Sequence, residues 1–198
     1  MKKLIVPRKF VSLMPPAVGS CFRRWAEYMY SSVQFNMPDS VMHSTAHSER
    51  VLLYAMLMVP RVFPDDEQAL TTLAHAAIFH DTRRENEWKD SGHGARAAAY
   101  YEEFCREHSE LTFIPAAAAI MRYHDRRDEL GEEAIAQAFP DSAERVRMLY
   151  HLFKDADALD RWRLGPRGLN PDFLRTDEAI HLVGFARKLV DVTRPIDW

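Results

Sequence analysis

Apolar positions recur along most of the chain at three- and four-residue intervals, the spacing of one helix face. Residues 1–15 read as an extended arm ending at Pro15-Pro16, and Phe22, Trp25, Ala26 and Tyr28 predict a helix over 17–32. Ser44 or Thr45 suits a helix start and Pro60 a stop, which predicts a helix to about Met58. Pro64-Asp65-Asp66 opens the next, from about Glu67 to His80. The polar stretch Thr82–Gly92 reads as a loop. Further helices are expected at about His93–Glu107 and from Pro115 to about Tyr123, with short pieces near 131–139. A long helix runs from Asp141-Ser142 to about Arg161, a loop covers Gly165–Pro171, and a last helix covers about Asp177–Val192. No stretch alternates as a strand. The expectation is an all-α, compact multi-helix bundle in one domain over residues 1–198.

Composition narrows the chemistry. Apolar residues make up 47% of the 198, enough for a sizeable core. With 26 basic and 29 acidic side chains the net charge is −3, which argues against a nucleic-acid partner. No apolar run approaches the ~20 residues of a membrane-spanning helix. The N-terminus starts basic, but Pro7, Arg8 and Lys9 break its apolar stretch, so it makes a poor signal peptide. Cys21 and Cys105 form no CxxC pair, which argues against a thiolate zinc site and suggests a reducing, cytoplasmic setting. No glycine-rich phosphate loop is present.

Nine histidines remain to be sorted by the company each keeps on its helix face. His47 shares a face with Val51, Tyr54, Ala55 and Met58, and His80 with Leu73, Ala76 and Ala77. His93 leads Ala97, Tyr100, Tyr101 and Phe104; His124 follows Ala117, Ile120 and Met121. Asp157 follows Val146, Leu149, Tyr150 and Phe153. Each therefore sits near the end of an inward-pointing apolar stripe. A carboxylate buried there needs a cation, and a metal ion would serve Asp157 while fixing several imidazoles. His151 shares a face with Arg147, Lys154 and Asp155 and reads as solvated. His75 reads as a packed or hydrogen-bonded side chain, His43 as a solvent-facing histidine near a helix start or else a group behind the metal ligands or against substrate, and His108 and His181 carry no special context.

The order His47, His80-Asp81, Asp157 is more specific than any one dipeptide, since His124-Asp125 is a second HD pair in the same chain. With HSERV at 47–51, AAIFHDTRREN at 76–86 and KDADALDR at 154–161, the chain resembles the HD-domain superfamily of metal-dependent phosphohydrolases over roughly residues 43–165. The resemblance implies that His47, His80, Asp81 and Asp157 hold a divalent transition metal. Imidazole and carboxylate donors suit Mn, Fe, Co, Ni or Zn. Some members hold a second ion through two more histidines, for which His93 and His124 are the candidates, with Asp81 as the bridge. The other reading of His93 is a helix-start histidine hydrogen-bonded to a carboxylate.

A small phosphorylated substrate, such as a nucleotide or related metabolite, is the partner the resemblance implies. Arg84 follows Asp81 by three residues, where a guanidinium could grip phosphate oxygens. Asp81, Arg84 and Glu85 are the catalytic candidates, and Arg50, Arg84 and Lys154 the substrate-binding ones. The chain lacks the Glu-Asp pair expected of the ppGpp-hydrolase branch. Two other functions share the same ligands: a di-iron oxygenase of the superfamily, which needs His93 and His124 as ligands, and a regulatory HD module without catalysis.

Overall fold

The computed structural model describes residues 4–40 and 42–194. Among these it is all helical. The order is α1 (Arg8–Val11), α2 (Pro16–Ser32), α3 (Thr45–Val62), α4 (Glu67–Phe79), α5 (His93–Glu107), α6 (Pro115–Tyr123), α7 (Asp128–Ala138), α8 (Ala143–Leu159), α9 (Asp177–Ile180) and α10 (Val183–Thr193). Short 3-10 turns occupy Asp160–Leu164 and Pro171–Phe173. None of the described helices is long and apolar enough to cross a membrane.

Helix α3 is the axis of the molecule. Every residue from Val51 to Met56 is fully buried, so this helix is apolar all round and needs partners on every side. It packs most extensively on α4 and then on α8 and α2. Helices α5 and α6 form a second pair that reaches the core chiefly through α6 on α4. Helix α7 packs on α8 and α6, and α10 covers the turn after α8. Helices α2 and α6 each begin with proline in the first turn, where no N–H is needed. Asp66 caps α4 by accepting the Ala69 N–H at 2.8 Å.

Four features depart from the pattern in the sequence. The N-terminal arm is tied down and partly helical: Phe10 and Val11 bury together in α1, and buried Glu49 accepts the N–H groups of Ile5 and Val6 at 3.0 and 2.8 Å. Pro60 lies inside the last turn of α3, which ends only when the Phe63 N–H bonds the Val59 carbonyl at 2.8 Å. Proline costs α3 one hydrogen bond there, but the buried Met58 and Val59 hold the turn in place. Helix α8 tightens into a 3-10 turn at Asp160, short of Arg161. The last helix is broken at His181-Leu182 into α9 and α10.

Candidate metal centre

Helix α4 stops at Phe79 because Thr82 takes over the end of the helix. Both its N–H and its hydroxyl donate to the Phe79 carbonyl, at 3.0 and 2.6 Å. His80 and Asp81 therefore stand in a turn, where adjacent residues can aim at one point. His47 comes to them from the first turns of α3, and Asp157 from the last turn of α8.

His47 Nε2 lies 3.1 Å from His80 Nε2, 3.2 Å from Asp157 Oδ1 and 3.6 Å from Asp81 Oδ2. The other oxygen of Asp81 faces a second group: Oδ1 is 3.0 Å from His93 Nε2 and 3.7 Å from His124 Nε2. Those two nitrogens are 2.9 Å apart. Asp81 thus stands between two half-sites, one oxygen toward each.

Hydrogen bonding fixes the tautomers. His47 Nδ1 faces Asp160 Oδ2 at 2.8 Å, and His80, His93 and His124 turn Nδ1 to the carbonyls of Ala77, Asp90 and Met121 at 2.9, 2.6 and 2.7 Å. Each partner can only accept, so each Nδ1 carries the proton and each Nε2 presents a lone pair. Four lone pairs and two carboxylates converging in this way repel one another unless a cation lies among them. Burial pushes the His80 pKa down to about 3, so that ring stays neutral near neutral pH, whereas at His124 burial is outweighed by the Asp81 carboxylate, which raises its pKa. Ligand atoms about 2.1 Å from a common ion and at right angles lie roughly 3.0 Å apart, near the short end of the 2.9–3.7 Å separations here. The buried His/Asp cluster therefore fits a metal ion, with imidazole and carboxylate donors and no thiolate.

His47 and the Asp157 neighbourhood also correct the burial argument made from the sequence. Asp157 keeps about a third of its side chain exposed (32%), whereas Asp160, three residues on, is fully buried beside His47. Its cation is Arg50, which grips it through Nε and through Nη2 at 2.9 Å. Burial opposes ionisation of Asp160, but Arg50 and His47 outweigh it and lower its pKa to about 2. Asp160 therefore orients His47 as a carboxylate behind the ring. It was missed because it lies 113 residues from His47; the DALD spacing that carries it is the only local signal.

A cleft of about 600 Å³ opens beside the second half-site, bounded by His43, Arg84, Trp88, His93, Arg161 and Arg163 among others. Arg84 lies against the His93 ring, with Nη1 3.3 Å from both ring nitrogens and 3.8 Å from Asp81 Oδ1. Its Nη2 donates to the Trp88 carbonyl at 2.6 Å. His43, expected in solvent, instead sets Nδ1 2.9 Å from Asp81 Oδ2 and lines the cleft.

Three expected site residues are placed elsewhere. The Arg50 guanidinium is taken up by Asp160 rather than facing this cleft. Lys154 spends its ammonium on Asp128 and the Arg126 carbonyl, both at 2.6 Å, and on Tyr150 Oη at 3.4 Å. Glu85 points outward, 63% exposed, with Arg96 3.4 Å away. Lys154 belongs to an ion-pair cluster in which Arg175 binds Asp128 through Nε and Nη2 and buried Asp155 accepts the N–H groups of Arg175 and Thr176. Three further histidines are structural, His75 bonding Tyr101 Oη at 2.7 Å, His108 stacking on Phe104 and His151 pairing with Glu132 at 2.7 Å, while His181 is exposed.

No protein-family model, curated protein or solved structure matches this chain.

Proposed function

We propose that the protein is a metal-dependent phosphohydrolase of the HD type, acting on a small phosphoester with two divalent ions. The observation that carries this reading is Asp81, beside the His47–His80–Asp157 cluster, with one oxygen toward His47 and the other toward His93 and His124. Divalent ions held by such a set supply Lewis acidity and an activated water, the chemistry phosphoester hydrolysis uses. The chain's own residues supply the rest. Arg84 binds phosphoryl oxygens as they gain charge, and its placement beside Asp81 and His93 sets where they sit. Arg161 and Arg163 extend the positive wall of the cleft. His43, on the cleft wall and against Asp81, holds or releases a proton for the leaving group.

The same bridged pair keeps a di-iron oxygenase as the second reading. Elemental analysis of protein purified without chelator separates them, followed by a phosphoester panel and an oxygen electrode. Two Mn, Co, Ni or Zn per chain with metal-dependent phosphate release support the hydrolase. Two irons with oxygen uptake and no phosphate release select the oxygenase. A chain that takes up no divalent ion overturns both.

A further inference from the structure

The chain holds a second HD pair, His124-Asp125, of which the proposed reaction uses only the histidine. Asp125 stands in the turn between α6 and α7 with its side chain buried. Its Oδ2 accepts the N–H of Gly92, the N-cap residue of α5, and lies 3.6 Å from His93 Nδ1. Gly92 has no side chain with which to cap α5, and its φ of 97° suits glycine. Asp125 therefore reaches across from another element to hold the start of α5, and His93 is the first residue of that helix. The turn that carries Asp125 is itself pinned to α8. Tyr150 Oη donates to the Tyr123 carbonyl at 3.0 Å, and Lys154 Nζ to the Arg126 carbonyl at 2.6 Å. The same helix α8 carries Asp157 of the first half-site.

We infer that Asp125 is the positioning residue of the second half-site: it ties the first turn of α5 to the turn that follows His124, so that His93 Nε2 and His124 Nε2 face one ion together. The inference rests on the two-ion reading above and deepens it. Asp160 is its counterpart in the first half-site, where it holds His47 by the ring. Asp125 holds His93 by the backbone instead, because His93 Nδ1 is already given to the Asp90 carbonyl at 2.6 Å. The tether and that bond act together: one fixes where the helix starts, the other how the ring turns. Partners behind the ligands set metal affinity without touching the ion. Without the tether, α5 has little else near its start to keep it in place, since it meets α4 only lightly. Asp125, Tyr150 and Lys154 thus form one line of contacts from α5 through the 123–126 turn to α8, which sets the second half-site against the first.

Titration of the full chain, stripped with chelator, with Mn(II) tests it, the free ion being read by electron spin resonance. Asp125→Ala removes the tether, and Asp125→Asn keeps an acceptor of the same shape without the charge. The wild type is expected to take up two ions. In Asp125→Ala the first ion keeps its affinity and the second binds roughly 10–100-fold more weakly. Asp125→Asn is expected to restore most of the second affinity, a rescue that a general loss of stability would not give. A wild type that takes up one ion or none overturns the two-ion reading and this inference with it. Two ions of unchanged affinity in Asp125→Ala overturn the inference alone. Equal weakening of both ions does the same, by assigning Asp125 to the stability of the whole fold, and so does an Asn variant as weak as the Ala one, by assigning the effect to charge. If Asp125→Ala does not fold, Asp125→Glu decides, because it keeps the charge and moves the oxygens by one methylene. A weakened second ion in Asp125→Glu with a near-normal one in Asp125→Asn supports the tether, and the reverse order overturns it.

Discussion

Asp160 shows how much a single side chain behind the centre controls. It holds the His47 ring through Nδ1 while Arg50 holds Asp160 in turn, so the His47 lone pair is aimed before any ligand arrives. Asp160→Asn keeps the shape but weakens the hold on both partners. The expected result is a metal affinity lower by roughly 10–100-fold at the His47 half-site, measured by competition with a chelating dye. His75 makes a different residue-scale prediction, away from the centre. Burial, helped by the Arg24 charge, lowers its pKa to about 4. Between about pH 6.5, the unperturbed value, and pH 4 the unfolded chain binds a proton that the folded one refuses. This residue's contribution is therefore whole above pH 6.5 and is lost as pH falls toward 4. Urea unfolding of the wild type and of His75→Gln across that window checks it: the variant is less stable at pH 7, and the gap closes on acidification. A constant gap would assign the loss of stability to packing against Trp25 and Tyr101 alone.

At the scale of helices, the second half-site rests on a close approach. A methyl group on Gly94 would run into the Met121 carbonyl and lie 2.9 Å from His124 Nδ1, so only glycine lets α5 sit this near the end of α6. Gly94→Ala is expected to cost about 1–3 kcal/mol by overpacking. It should also push His93 away from His124, so that bound metal falls from two ions to one. Denaturant melts and elemental analysis of the same sample measure both effects. Much of this scaffold was legible in the chain, because proline, aspartate and threonine at helix ends act locally: α4, α5 and α6 start where Asp66, Gly92 and Pro115 place them. The clustering of His47, His80 and His124 was legible for the same reason, each standing at the end of an apolar stripe. What the local pattern did not carry was pairing over long separations. Nothing near Arg50 in the chain announces Asp160, nothing near Lys154 announces its Asp128 partner 26 positions earlier, and nothing near His43 announces Asp81. The break between α9 and α10 and the turn of α8 into Asp160 are likewise set by what packs beside them.

At the scale of the whole molecule, the centre joins two helical groups. Helices α3 and α8 carry His47 and Asp157 and α4 ends just before His80-Asp81, while α5 carries His93 and α6 ends just before His124. Helix α5 touches α4 only lightly and leans mainly on α6. Metal binding should therefore slow amide hydrogen exchange most in α5 and in the 82–92 connection, and least in α3, which is already buried on every side. Equal slowing throughout would mean that the two groups open only together.

Sharing Asp81 has a further consequence for how the protein fills. The half-site on α3, α4 and α8 has two imidazoles, the Asp157 carboxylate and one oxygen of Asp81; the other has two imidazoles and the remaining oxygen. If two ions bind as proposed, the one entering the richer half would draw on the bridging charge and leave less for its neighbour, so occupancy would proceed in order and with negative cooperativity. Cells short of metal would then yield a uniform singly loaded population instead of a mixture of empty and full molecules. A stoichiometry near one would record the supply during growth, and the second ion would be the one lost on dialysis.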